Sequence, residues 1–377
     1  MIGMDNHQNK IMATLEAFDW SFTDSRPAPL EGIHPYPAKF ISDIPRKLLN
    51  TLPVPSGTVV FDPFCGSGTT LSVAQELGFM SAGVDLNPIA CLMSRVKTGL
   101  FREEYEQYPE KLVKQAESFF APVNVDIPNI DHWFELEVQY AIVALRKAIM
   151  QISDVNLRNI MNLALSAIIV RVSNQDSDTR YAAVKKDVSA TKTFQLFLMS
   201  CKKIFAALKQ RNWEIIPATV LHDNTLQLSQ EKLPKVGIVI TSPPYPNAYE
   251  YWLYHKYRMW WLGYDPLLVK NNEIGARAHF FSGSAKNKKQ DFAEQMTKLF
   301  NLFAKVVVPG GYICFVVGRS KIHGEIIDNA LTIENISRNL GFNFLLRKDR
   351  EILAKRKSFN LSHAQIKTES ILIMQRS

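Results

Sequence analysis

Two hydrophobic rhythms divide the chain. Short runs of β-branched and other apolar residues at 59–62, 81–84, 215–221, 235–240 and 312–317 each end in a polar, proline or glycine turn, the pattern of strands buried on both faces. Helical patterns lie between them at 46–52, 71–77, 291–307 and 326–340. Gly78 closes the second and Gly341 the last, while Pro309-Gly310-Gly311 stops the third. Residues 342–352 and 370–375 predict a β-hairpin across a long basic connection, 355–365. The middle of the chain breaks the alternation: 91–98, 108–120, 134–152, 157–172 and 191–210 read as long helices with few glycines between them.

The pattern predicts an α/β fold in two parts around a helical insertion. Residues 1–98 form an N-terminal arm and the first part, 99–213 the insertion, and 214–377 the second part. The arm, 1–30, is polar apart from an aromatic anchor at Phe18, Trp20 and Phe22. Residues 171–181 predict a polar loop after an apolar helix, either merely solvated or contacting a substrate. Residues 249–261 form an aromatic helix that is mostly core, and 266–289 a polar, basic loop.

Composition narrows the class. With 377 residues, 46% of them hydrophobic, the chain can bury a large core. No apolar run reaches the roughly 18–20 residues of a membrane span, and the N-terminus lacks a basic-then-apolar signal, so a cytosolic (cytoplasmic) protein with no membrane partner is expected. Cys65, Cys91, Cys201 and Cys314 are scattered, with no Cys-x-x-Cys pair. They predict small buried hydrophobes, with neither a metal site nor a disulfide framework. A formal charge of +8 suits a polyanionic partner such as nucleic acid.

The candidate chemistry sits at strand ends. Val59-Val60-Phe61-Asp62 runs into Pro63-Phe64-Cys65-Gly66-Ser67-Gly68-Thr69-Thr70, a strand, a glycine turn and a helix start. An ordinary glycine loop is the competing reading of Gly66-x-Gly68 alone. No Gly-Lys-Ser/Thr follows, so this is not a phosphate loop, and Leu71 stands where a dinucleotide fingerprint has its third glycine. Asp62 would repel a pyrophosphate but attract a cationic ammonium. Asp85 ends the next strand about twenty residues on, the spacing at which a carboxylate takes a ribose diol, and Asp223 follows a third strand. A ligand combining a cationic amino group, a ribose and a base amine is S-adenosylmethionine. Farther along, Thr241-Ser242-Pro243-Pro244-Tyr245 fixes a backbone turn at another strand end. It can present acceptors to an exocyclic amine and an aromatic face to a base; a plain proline turn is the alternative.

With these segments in place, the sequence resembles the S-adenosylmethionine-dependent amino-methyltransferases of DNA, which modify adenine N6 or cytosine N4. Asp62–Thr70 is similar to that family's cofactor motif, and Ser242-Pro243-Pro244-Tyr245 to its catalytic motif. His34-Pro35-Tyr36-Pro37-Ala38-Lys39-Phe40 is similar to a further cofactor-side segment. The match covers about the first 100 residues and those from about 215 on. It implies a Rossmann-like methyltransferase fold with a mixed, mostly parallel seven-stranded sheet plus a helical insertion. It also implies that Lys39, Asp62, Phe64, Cys65, Gly66, Gly68, Thr69, Asp85, Leu86 and Asp223 hold S-adenosylmethionine. Ser242, Pro243, Pro244 and Tyr245 would carry the chemistry on a base extruded from DNA. Serine at the first motif position inclines toward cytosine N4, with adenine N6 the alternative, and a cognate restriction endonuclease is a possible partner. No Pro-Cys motif of a covalent mechanism is present. Arg171, Arg180, Lys286, Lys288 and Arg356 are candidate phosphate contacts. The competing functions are an RNA exocyclic-amine methyltransferase and a nucleic-acid-binding subunit without activity.

Overall fold

The computed structural model describes residues 6–119, 123, 125–244, 246, 250–274, 285–322, 325–351 and 368–377. Its centre is a seven-stranded sheet. In chain order the strands are β1 (Val59–Asp62), β2 (Ser81–Asp85), β5 (Ala218–His222), β6 (Val236–Thr241), β7 (Val307–Gly318), β10 (Phe342–Glu351) and β11 (Thr368–Arg376), and across the sheet they run β10-β11-β7-β6-β1-β2-β5. Neighbours from β5 through β7 pair in parallel, and β11 lies antiparallel to both β7 and β10. The chain leaves β1 toward the β2–β5 edge and restarts on the other side at β6. The strand order therefore reverses between β1 and β6, where open α/β sheets leave a crevice at the carboxyl ends of the strands.

Both faces of the sheet are covered because successive strand residues point to opposite sides and nearly all are apolar. Val60, Ile238, Ile240, Cys314 and Ile373 pack under α1 (Asn6–Ala17), α2 (Asp43–Thr51) and α3 (Thr69–Glu76). Phe61, Val239, Ile313, Phe315 and Leu372 pack under α12 (Ala285–Val306), through Met296, Phe300 and Phe303, and under α13 (Asn329–Asn339), through Ile333. The predicted α/β class and terminal hairpin are thus observed.

The helical stretch is not peripheral. α5 (Tyr108–Glu117), α7 (Leu136–Met150), α8 (Val155–Val172) and α9 (Ala190–Lys209) share one apolar cluster with α4 (Pro88–Thr98) and with Tyr257 and Trp261 of α10 (Tyr251–Leu262). α8 does reach the length and apolarity of a membrane span, contrary to the reading of the apolar runs, but 61% of its residues are buried in the protein. Asp154 caps its start by accepting from Leu157 N at 3.0 Å.

Several local expectations change. The N-terminal arm contains α1, whose Ile11, Met12 and Leu15 face the sheet; this short apolar stripe is diluted by polar residues on the outer face. Phe18, Trp20 and Phe22 then cluster, with Phe18 and Trp20 edge-to-face at 5.1 Å. The 171–181 segment is no loop but contains a two-stranded hairpin, β3 (Gln175–Ser177) and β4 (Arg180–Ala183). Within 266–289, α11 (Pro266–Asn272) forms because Asp265 caps it and Pro266 suits its first turn. Pro309-Gly310-Gly311 lies inside β7, where the register against β6 shifts, so the glycines make a bulge instead of a stop. Residues 326–328 belong to a small hairpin, β8 (Ser320–Ile322) with β9 (Glu325–Ile327), and to the Asp328 cap of α13.

Candidate active site

The four acid- and hydroxyl-bearing strand ends converge at the crevice. Asp62, at the tip of β1, is 3% exposed; its Oδ1 accepts from Thr241 Oγ1 at 2.7 Å and from Phe64 N at 3.1 Å. The Thr241–Asp62 bond crosses the point where the strand order reverses. Thr241 is therefore a site residue that sequence reasoning passed over, although it stands next to Ser242.

The turn after β1 requires its glycines. Gly66 and Gly68 have φ of +49° and +79°. A Cβ on Gly68 would also lie 2.8 Å from Cα of Ser94, because the turn lies directly on α4. Asp85 closes the turn from the neighbouring strand: its Oδ2 accepts from Gly66 N at 2.8 Å and its Oδ1 from Asn87 N at 2.8 Å. Cys65 N donates to Val84 O at 2.9 Å, and Cys65 is buried like the other three cysteines, as expected. Thr69 opens α3, and Ser67 Oγ lies 3.4 Å from its hydroxyl.

Burial pushes the carboxyls of both Asp62 and Asp85 up to about 6, and the nearby Asp62 charge adds to the effect on Asp85. Among the described residues, neither makes an ion pair with a Lys or Arg. Asp62, buried, and Asp85, half-buried, without a fixed cation among the described residues, form a place where a cationic ligand favours the ionised state.

Asp223 follows β5, and its backbone N donates to Asp85 O at 3.2 Å, so the third acid stands beside the second. It differs electrically: Lys232 bonds Asp223 at 2.5 Å and holds its carboxyl below the usual range. Leu86 packs, as does Trp252 of α10, against the small cluster of Ile89, Met259 and Val269. Lys39 does not aim a free charge at the turn; it donates to the backbone carbonyls of Glu31 and His34.

The neighbouring Tyr36 is what covers the turn. A Cβ on Gly66 would lie 3.0 Å from Tyr36 Oη, and the Tyr36 ring stacks on Tyr251 and His255 of α10 with centroids 5.6 and 5.5 Å away. Desolvation and the Asp85 charge push the Tyr36 hydroxyl well above its ordinary value. Glu273, just past α11, is 7% exposed and accepts from Tyr251 N at 2.8 Å, satisfying the first turn of α10. Burial raises its carboxyl to about 8. Nothing in the sequence around Glu273 marks it, since its partner donors belong to a helix start 22 residues earlier.

Ser242, Pro243 and Pro244 continue directly from β6. Pro243 is buried and Ser242 half-buried. Tyr245 and Arg356 lie outside the described residues, as do the side chains of Lys286 and Lys288 in the first turn of α12. Arg171 and Arg180 are exposed.

The sheet order, with one antiparallel strand inside an otherwise parallel array and the acid-bearing crevice at β1, defines a Rossmann-like methyltransferase fold. Residues 6–95 match the N6/N4 methyltransferase family, described as DNA methylase. It is 41% identical over 81 residues to the Type II methyltransferase M.MjaII of Methanocaldococcus jannaschii, covering 22% of this chain and 15% of that one. It is 20% identical over 409 aligned positions to M.BsoBI of Geobacillus stearothermophilus, covering 81% of this chain and 77% of the relative. It is also 26% identical over 240 positions to M.MvaI of Kocuria varians, covering 57% of this chain and 53% of the relative. The chain thus spans well under two thirds of the length of two of these relatives.

S-adenosylmethionine is the methyl donor of the family, and the donor set fits it. Two carboxylates without a basic partner among the described residues, Asp62 buried and Asp85 half-buried, suit a cationic amino acid and a diol, and the glycine turn leaves no Cβ in the way.

Proposed function

We propose that the protein is a site-specific DNA methyltransferase that moves a methyl group from S-adenosylmethionine to an exocyclic base amine, cytosine N4 in the first instance. One observation carries the reading: the Thr241–Asp62 hydrogen bond joins the cofactor turn to the strand end bearing Ser242-Pro243-Pro244, placing both motifs in one crevice. S-adenosylmethionine supplies an electrophilic methyl group there. Asp62 and the 64–68 backbone hold its amino-acid end, Asp85 its ribose hydroxyls and Asp223 its adenine amine. Lys39 serves indirectly by pinning the segment that carries Tyr36.

The Ser242 hydroxyl and the Pro243 carbonyl accept from the target amine, which keeps its lone pair directed out of the ring. Tyr245 stacks on the extruded base. The rate gain comes chiefly from proximity and orientation, with no covalent protein nucleophile. Serine at position 242 supports cytosine N4 over adenine N6. The relatives are named Type II methyltransferases, which supports a cognate endonuclease as partner.

Expression in a methylation-free host, followed by nucleoside mass spectrometry and base-resolution sequencing, tests the reading. N4-methylcytosine in DNA is the expected product. N6-methyladenine would move the target base, methylated RNA alone would move the substrate class, and no methylated nucleoside of any kind would remove the proposal.

A further inference from the structure

The β3–β4 hairpin lies outside the main sheet and outside both motifs, yet it is fastened to the catalytic half at unusual depth. Its root is the end of α8. Asn174 N donates to Trp133 O at 2.7 Å, Val184 N to Asn174 O at 2.7 Å, and Lys186 Nζ to Val170 O at 3.1 Å. Its tip reaches α10, where Asp178 pairs with Arg258, whose side chain is 0% exposed. Arg258 also donates from Nε to Ser166 O at 3.1 Å and from Nη1 to Tyr254 O at 2.9 Å. A fully buried guanidinium is tolerated only when paired and bonded in this way.

The same joint extends to the cofactor side. The carbonyl of Pro35 can only accept, so His34 Nδ1 donates to it at 2.7 Å, and the Ser166 hydroxyl in turn donates to His34 Nε2 at 2.9 Å. Two residues on, Tyr36 covers Gly66 and stacks on His255. The hairpin thus connects, through Arg258 and Ser166, to the first turns of α10 and to the roof of the cofactor turn. On its other side the Tyr181 ring lies under Lys256 Nζ of α10, at 5.2 Å.

The two acids of the hairpin, Asp176 and Asp178, are engaged in ion pairs, and exposed basic side chains stand beside them. Arg180 is 77% exposed and pairs with Asp176 at 3.2 Å, while Arg171 and Lys185 are also exposed. Lys256 lies over the rings of Trp133, Tyr181 and Tyr257 at 5.7, 5.2 and 4.7 Å, a cation held among aromatic faces beside them. Basic side chains interleaved with aromatic ones suit a phosphate backbone next to an unstacked nucleotide.

We propose that this hairpin is a docking element for the DNA duplex flanking the target base, and that Asp178–Arg258 is a positioning pair by which the docked hairpin sets α10. The proposal rests on the methyltransferase reading for its substrate, but its first test does not need activity. Fluorescence anisotropy of the full chain with a labelled duplex is measured across a salt series for wild type and for Arg180→Glu. The expected result is an affinity about tenfold weaker and a salt slope shallower by about 0.9 per lost phosphate contact. An unchanged affinity and slope overturns the docking role, as does a wild-type preference for single-stranded RNA over the duplex.

The second test reads the positioning pair. Asp178→Asn is expected to keep S-adenosylmethionine affinity within about twofold by calorimetry while kcat at saturating duplex falls about tenfold, with Asp178→Glu recovering most of it. An equal fall in cofactor affinity, or no change in kcat, refutes positioning. The two readings can fail separately. A wild-type protein that binds duplex through the hairpin yet methylates nothing refutes the reaction alone, whereas one that methylates DNA with indifferent hairpin variants refutes the docking alone.

Discussion

Two buried polar clusters lie on either side of Tyr36, and their charge balance is opposite. At the strand ends, Asp62 and Asp85 have no basic partner among the described residues, and desolvation raises both carboxyls to about 6. On the helical side, Arg258 is fully buried but is answered by Asp178 and two carbonyls. An internally balanced cluster is a joint, because every charge has its partner within the chain. An unbalanced one is a site, because desolvated carboxylates are kept at a cost that only a ligand offsets. The difference separates structural from binding residues where burial alone does not.

The largest effect should come from breaking the balanced cluster. Arg258→Met leaves Asp178 without its guanidinium and empties the bonds to Ser166 and Tyr254, and should destabilise by about 3–5 kcal/mol. Chemical denaturation measures it, and a variant as stable as wild type would show that the joint holds nothing. Asp62→Asn is the converse. It should weaken S-adenosylmethionine by about 10- to 100-fold by calorimetry, the loss of one charged contact, while the unliganded protein melts no lower than wild type. A matching loss of thermal stability would make Asp62 structural.

Ser242→Ala should keep cofactor affinity and lower kcat by about tenfold or more, as expected for one lost orienting hydrogen bond in the transition state. Full activity would return the Ser-Pro-Pro segment to a plain turn. The pH profile then sharpens the contrast. Asp62 and Asp85 titrate near 6 when folded, against 3.8 for the ordinary carboxyl, so the native state holds more protons than the unfolded one between those values. Their contribution to the stability of the unliganded protein is therefore greatest below 3.8 and is lost as pH rises through 6. Cofactor affinity should run the other way, falling as pH drops below about 6. Parallel trends in the two measurements would mean that these acids do not meet the cation. The smallest effect is expected at Asp223, whose partner Lys232 is exposed: Lys232→Ala should change stability by less than about 1 kcal/mol.

Much of this was legible along the chain because it is local. Asp62, the glycine turn and Asp85 fall within one strand–helix–strand unit, where hydrophobic runs and a required positive φ leave few alternatives. Ser242-Pro243-Pro244 announces itself through two rigid residues after a buried strand. Tyr36, Glu273 and Arg258 were not legible, since their roles depend on partners tens to more than a hundred residues away, such as Tyr251 for Glu273 and Asp178 for Arg258. The hairpin at 175–183 was hidden for a related reason. Its strands are short and polar, and they are held by Asn174, Lys186 and Arg258 more than by any apolar alternation.

By itself, the sequence determined the α/β class, the two motifs and the three acids, because periodicity, proline and glycine act over a few residues. Only the tertiary structure decided that Thr241 bonds Asp62 across the reversal of strand order, that the helical stretch shares a core with the aromatic helix, and which buried charges are balanced. Those are properties of pairs brought together by sheet order and helix packing. A charge's worth in a protein is set by what folding places beside it.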